Sequence, residues 1–370
     1  VARILVVGGY GAFGARVAER LAREPALEII IAGRSEDKAH GYAEALARSG
    51  RARVTHAVLD ATTATREALR ALSADILINA SGPFQHHDYA LPRACIAAGC
   101  HYVDLADARA FVSGIGVLDA EAKAAGVSIV SGASSVPGLS SAAVRYLADD
   151  LAQLDEVHIA ISPGNSFDPG LATAASIIGQ AGKPFVVRRG GRALTVHGWQ
   201  GLHRHRFPEV GYRWMSDVDV PDLDLFPQHY PELSTVRFSA GLEVGLFHLG
   251  LWAASWPARA GIVRSLAPLA APMLGVKRQL SALGSDTGGM FVRVAGRDRT
   301  GISRTRTWHL VARSGDGPYV PAMASVILAK RTVAGDGPAP GAMPCFGLFT
   351  LGEFEAEISD LDITCWLERG

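Results

Sequence analysis

Neither sign of charge is in excess in this chain: 36 Lys and Arg stand against 36 Asp and Glu, a formal net charge of zero. A protein that neutralises nucleic-acid phosphates carries a basic surplus, so nucleic acid is not an expected partner. Cysteine is scarce. Cys95, Cys100, Cys345 and Cys365 form no C-x-x-C pair and no metal-ligand spacing. They read as reduced thiols of a cytoplasmic protein without a metal centre. No secretory signal pattern precedes the first apolar run. No run is long enough to span a bilayer, which takes about 20 apolar residues. The longest tract, Val244 to Trp256, is followed by Pro257, Arg259 and Arg264. It reads as a buried helix or an interface, with membrane-surface contact as the lesser alternative and no stable membrane insertion. G-x-S-x-G, H-E-x-x-H and Walker A patterns are also missing, which removes the commonest hydrolase, zinc-protease and NTPase signatures.

At 370 residues the chain suits two or three domains. It opens on "ILVVGGYGAFGARVAERLARE", a β-branched run, a glycine-rich turn and an amphipathic helix pattern. Gly9, Gly11 and Gly14 fall in a G-x-G-x-x-G frame, with Tyr10, Ala12 and Phe13 between them. In that frame the first glycine permits a tight turn of positive φ. The second lets the backbone approach a pyrophosphate, and the third lets the helix pack on the strand. Free N–H groups at the helix start then meet the phosphates. Strand and helix patterns go on alternating. Leu27 to Ala32, Val54 to Leu59, Asp75 to Asn79, His101 to Leu105 and Val127 to Val130 read as further strands. Helical spacing recurs in Lys38 to Arg48, Thr65 to Leu72, Tyr89 to Ala98 and Leu118 to Ala125. Apolar strands without alternation are those of a parallel sheet covered on both faces. The expectation is a doubly wound Rossmann domain over residues 1–135.

The dinucleotide can be argued from the tip of the second strand. NAD enzymes usually carry Asp or Glu there for the ribose hydroxyls. This chain has Gly33, Arg34 and Ser35. A guanidinium fork and a hydroxyl suit a 2′-phosphate, which a carboxylate would repel, so NADP is preferred and NAD is possible. Ser81, Gly82, Pro83 and Phe84 follow the fourth strand, where a stiff turn and an apolar wall can lie against the cofactor. Tyr102 and Asp104 lie two apart on the fifth strand and share a face. With Asp107 they are the catalytic candidates, although Asp104 serves equally well as a turn cap. Arg109 and His86 are the candidates for holding substrate. Ser134 and Ser135 can cap a helix opening at Pro137 or contact substrate. His203 and His205 lie on one side of a strand pattern, but no third metal ligand stands near.

"GGYGAFG", "AGRS", "NASGPF", "YALPRACIAAGCHYVDLAD" and "SGASSVPGLSS", in that order, resemble the saccharopine dehydrogenase-like oxidoreductases; "GPYVPAMASVILAKR" adds weaker support. The resemblance implies an N-terminal NAD(P)-binding Rossmann domain, a second domain carrying substrate groups, and a homodimer. It departs from the family at Val136. Amino-acid-processing members commonly place an acid immediately before that Pro-Gly, so a carboxylate for an amine or imine substrate is missing.

From residue 136 the expectation is a substrate and dimerisation domain, running to 370 and built on a mixed, largely antiparallel sheet. The segment 318–333 is expected as a helix that packs back on the first domain. Strands are expected in "DEVHIAIS", "TVRFSAGLE", "GGMFVRVAGRD" and "SRTRTWHLVARS", and a hairpin turning at Gly190-Gly191. Trp199, Trp214 and Trp252 line an apolar substrate pocket or pack in the core; Asp286 sits in a polar loop. The whole reads as an NADP(H)-dependent oxidoreductase acting on a small organic C=N or C=O compound. Two rivals are an enoyl (C=C) reductase of lipid intermediates and an NADP-binding sensor or scaffold without catalysis.

Overall fold

The computed structural model describes residues 1–85 and 87–369, in two compact units. The first comprises residues 1–139 and 318–357; the second comprises 140–317 and 358–370.

The first unit is built on strands β1 (Ala2–Val7), β2 (Leu27–Gly33), β3 (Arg53–Val58), β4 (Ile76–Asn79), β5 (His101–Asp104) and β6 (Ser128–Ser131). Helices α1 (Gly14–Leu21), α2 (Glu36–Ser49), α3 (Arg66–Leu72), α4 (Ala90–Ala98), α5 (Arg109–Gly114) and α6 (Asp119–Ala125) connect them. All neighbours are parallel, in the order β6-β5-β4-β1-β2-β3. The order reverses between β1 and β4, the switch point at which such sheets bind ligands. Ile4 to Val7 and Ile29 to Ala32 are buried throughout, because helices cover both faces. Ser35 and Thr65 start α2 and α3 by accepting bonds from the Lys38 and Ala68 N–H groups.

A seventh strand, Gly341–Pro344, adds to β6 at the sheet edge. "GAMP" has neither alternation nor an apolar run, so no local pattern announces it. Helix Val320–Val333 belongs to this unit, and most of its side chains are buried. That burial is the mark of a helix with no solvated face.

In the second unit, Leu151–Ser162 is the central strand of a seven-stranded sheet. It pairs parallel with Thr235–Ala240 and antiparallel with Gly288–Asp298. The pairs from Gly288–Asp298 to Ser303–Ala312 and on to Ile363–Arg369 are antiparallel, as is the Gln200–Phe207 and Gly211–Asp217 pair. Pro184–Arg189 and Arg192–His197 form a separate hairpin through Gly190 and Gly191, both left-handed. The fold is α/β, a Rossmann unit with a second unit on a mixed, largely antiparallel sheet. Helix Gly245–Arg259 buries only one stripe, through His248, Leu251 and Ser255. Among the described residues, no helix is long and apolar enough to cross a membrane.

Candidate cofactor and active site

Backbone bonds hold the loop after β1. The Gly8 and Gly9 N–H groups donate to the Ala32 carbonyl at 2.8 and 3.2 Å, and Gly11 N–H donates to the Gly8 carbonyl at 2.8 Å. The left-handed residue is Gly8 (φ 76°), one position before the glycine expected to turn the chain. A Cβ on Gly8 would also meet the Ala80 carbonyl carbon at 3.0 Å, because this loop lies against the loop after β4. Sequence reasoning missed Gly8; the doubled glycine was the available signal. A Cβ on Gly14 would collide with the Gly8 carbonyl, so glycine there brings α1 down onto the loop. No side chain caps α1, whose Ncap is Phe13. Its first turn therefore faces the loop mouth with the positive end of the helix dipole.

Tyr10 has a part that the glycine pattern does not show. Its ring covers Gly33, where a Cβ would collide with the ring, and its hydroxyl accepts the Ser35 N–H at 3.2 Å. Tyr10 thus joins the phosphate loop to the tip of β2. There the Arg34 side chain is exposed, and the Ser35 oxygen accepts the α2 cap bond while keeping its own proton to donate. Asp60, just beyond β3, is held below the usual carboxylate range. The Thr62 N–H and hydroxyl are the main cause, and Arg34 adds a smaller contribution.

On the other side of the switch point, Asn79 ends β4, buried. Its Oδ1 accepts the Ser81 N–H at 3.1 Å and the Ser81 hydroxyl at 2.5 Å, and its Nδ2 donates to the Tyr102 hydroxyl at 3.2 Å. Asn79 therefore sets the Ser81–Phe84 loop, another residue the sequence reading passed over. A lone polar residue ending an apolar strand was its signal. Phe84 is buried against Phe111, with ring centroids 5.6 Å apart.

Tyr102 and Asp104 are both fully buried. Asp104 Oδ1 accepts from Gly132 N–H at 2.8 Å, Ala106 N–H at 3.0 Å and the Ser131 hydroxyl at 3.0 Å, tying the end of β5 to β6. Oδ2 is buried without a hydrogen-bond partner. Burial pushes this carboxyl up to about 6, and the three donors on Oδ1, with the nearby Tyr102 hydroxyl, oppose it. Asp107 and Arg109 sit half-buried beyond the end of β5, and Gln85 Nε2 donates to Asp107 Oδ1 at 3.2 Å. The structure thus brings Asp107, Gln85 and the Phe84 loop together. His86 lies outside the described residues. Ser135 and Val136 begin an irregular turn in which Val136 is buried, so the missing acid is replaced by packing.

In the second unit, Trp199 is core, its indole N–H bonded to the Ile177 carbonyl at 2.9 Å. Trp214 is half-buried under Arg204, and Trp252 meets Trp256 edge to face. His203 contacts the Arg237 guanidinium at 2.9 Å, and the His205 ring lies tilted against Phe291, with centroids 4.3 Å apart. No group of side chains among the described residues could hold a metal ion.

Residues 4–130 match the family described as the saccharopine dehydrogenase NADP binding domain. Over those residues, about a third of the chain, it resembles an NADP-binding domain of the saccharopine dehydrogenase type. Apo histidine-tagged saccharopine dehydrogenase (L-Glu forming) from Saccharomyces cerevisiae has the same fold. It is 15% identical over all of both chains, with a TM-score of 0.72. An amine dehydrogenase from Mycobacterium smegmatis is similar at 14% identity, covering 95% of this chain and 96% of that one, with a TM-score of 0.50. No curated protein matches the chain in sequence. The residues of this saccharopine dehydrogenase-type domain fit NADP. The bare glycine loop leaves room for a pyrophosphate, the α1 start offers its dipole, and the exposed Arg34 beside the Ser35 hydroxyl suits a 2′-phosphate.

Proposed function

We propose that the protein is an NADP(H)-dependent oxidoreductase acting on a small organic C=O or C=N compound. The observation that carries this is the continuous surface made by the glycine loop, Tyr10 and the Arg34–Ser35 tip, with no carboxylate on that tip. NADP(H) supplies or accepts the hydride when bound. Gly8, Gly9, Gly11 and Gly14 hold the backbone clear of the phosphates, Ala12 and Phe13 lead into the α1 start, and Arg34 selects the 2′-phosphate.

At the other end Ser81 to Phe84, set by Asn79, position the ring that reacts. Asp107 handles the proton and Arg109 holds a substrate carboxylate, since both lie beyond the strand end with partial exposure. Tyr102 and Asp104 are positioning residues in this scheme: the Asp104 bonds fix the β5–β6 ends on which Asp107 stands. The buried Val136 speaks against an amine-bearing amino-acid substrate and keeps an enoyl substrate as the second reading.

The test is calorimetric titration with NADPH and NADH, followed by turnover of a carbonyl, imine and enoyl panel. NADPH is expected to bind more tightly, and Arg34→Ala to weaken it by about 10-fold to 100-fold while barely changing NADH, as for loss of a charge-assisted contact to phosphate. Preference for NADH would overturn the assignment of Arg34. Failure to bind either would remove the oxidoreductase reading. Asp107→Asn is expected to lower kcat with NADPH affinity intact; an unchanged kcat would take Asp107 out of the proton transfer.

A further inference from the structure

The segment from Val244 to Ser285 contains no Asp or Glu, although the composition of the chain would place about four in a stretch of that length. It does contain Arg259, Arg264, Lys277 and Arg278. The same segment holds the greatest concentration of exposed large apolar side chains: Leu246 is 70% exposed, Trp256 47%, Ile262 79%, Leu269 48%, Val276 50% and Leu283 61%. On helix Gly245–Arg259 the exposed positions are Leu246, Gly250, Ala253, Trp256 and Arg259, a stripe at helical spacing opposite the buried His248, Leu251 and Ser255. Helix Ala270–Gln279 repeats the pattern, with Ala270 and Leu274 buried and Pro272 and Val276 exposed.

We infer that the exposed stripe of helix Gly245–Arg259, with the turn that follows it, docks on the surface of a lipid bilayer carrying anionic headgroups. A surface both apolar and basic is what such a membrane attracts, burying the side chains at the headgroup level while Lys and Arg meet the phosphates. Arg259 lies over the Trp256 ring, with the guanidinium carbon 5.3 Å from its centroid, so cation and aromatic anchor sit at one place. Arg278 pairs with the Asp168 carboxylate, which together with Glu243 also lies near Lys277, whereas Arg259 and Arg264 make no ion pair with a carboxylate among the described residues. Arg259 reaches the neutral Gln200 amide oxygen and keeps its charge, while Lys277 is half-buried and donates to the Asn165 and Phe167 carbonyls, so Arg259 and Arg264 are the cations that face the membrane. A second copy of this chain is a poor occupant, because a two-fold interface would set the same basic residues against each other. Spanning is excluded by length: the 15-residue helix is about 22 Å long, short of the roughly 30 Å hydrocarbon core. The helix lies on the membrane.

The test is co-sedimentation of the full chain with phosphatidylcholine vesicles, with and without phosphatidylglycerol. Tryptophan emission and sedimentation velocity are read in parallel. Binding is expected only with phosphatidylglycerol, with a blue shift and release at high salt. The Leu246→Ser/Ile262→Ser variant and the Arg259→Glu/Arg264→Glu variant should each lose about 10-fold or more in vesicle affinity. Melting temperature and NADPH affinity should stay unchanged in Leu246→Ser/Ile262→Ser, whose side chains stand outside the core and the cofactor loop; Arg259→Glu/Arg264→Glu gives up the bond to the buried Gln200, so a lower melting temperature is expected there with NADPH affinity intact. No binding to the mixed vesicles, or equal binding by both variants, overturns the inference. A dimer that Leu246→Ser/Ile262→Ser splits also overturns it and makes the face an interface between copies.

Discussion

Gly14→Ala is expected to lower NADPH affinity by about 100-fold, roughly 2.7 kcal/mol, and to lower the melting temperature as well. The added methyl would meet the Gly8 carbonyl oxygen and carbon and the Gly9 Cα, all backbone. No side chain can swing aside, so α1 must lift from the loop, and overpacking of this kind costs about 1–3 kcal/mol. Moving the helix start also moves the N–H groups that meet the pyrophosphate, so binding and stability fall together. Gly41→Ala is the matching control. Gly41 lies inside α2 with nothing within 4 Å of its added Cβ. That change should stabilise by up to about 1 kcal/mol and leave NADPH affinity unchanged. Calorimetry and thermal melts on the two variants give the comparison. Undiminished NADPH binding by Gly14→Ala would mean that the loop does not carry the phosphates.

The second large effect is in pH. Asp104 titrates at about 6 in the folded protein because burial disfavours its charge, against roughly 3.9 in an unfolded chain. Between those values the folded state binds more protons. The contribution of Asp104 to stability is therefore full below about 4 and falls as pH rises through 6, by on the order of 3 kcal/mol in all. Asp222, in the second unit, is pushed up to about 7 by burial and behaves the same way. The histidines of that unit act in the opposite sense. Burial holds His205 and His248 down to about 4 and lowers His158 further, so their contribution is present above 6.5 and is lost on acidification. The wild-type curve is the sum of these, and the difference from Asp104→Asn isolates the one carboxylate. Asparagine keeps an oxygen for the Gly132 and Ala106 N–H groups and cannot ionise. Relative to wild type the variant should gain on the order of 3 kcal/mol between pH 4 and pH 7 in denaturant unfolding. A difference constant across that range would show that Asp104 ionises in the folded protein as easily as in water.

Most of the first unit was legible because its signals are local. β1, β2 and β4 are apolar runs, so their burial on both faces is written into composition over a few residues, and the helices between the strands follow their spacing. The glycine loop and Arg34 were legible for the same reason, since a G-x-G-x-x-G frame and a strand tip are defined within a few dozen residues. Legibility stopped where a residue acts on a distant neighbour. Gly8 and Asn79 matter because the loops after β1 and β4 meet at the switch point, a contact that neither the doubled glycine nor the polar strand end shows by itself. Tyr10 was placed in the cofactor loop, but its seat on Gly33 needs β1 and β2 side by side.

What the sequence determined by itself was therefore the Rossmann unit and its glycine-rich loop, together with the Arg34–Ser35 strand tip on which the proposed NADP preference rests. Each follows from side-chain size, backbone freedom and charge over short spacing. Tertiary structure alone decided three things. It joined the pattern-free strand 341–344 to β6 by register. It buried Asp104 by closing β5 on β6. It also divided Val244 to Trp256 between a buried stripe and an exposed one, because composition states how apolar a helix is and only packing states which face is covered.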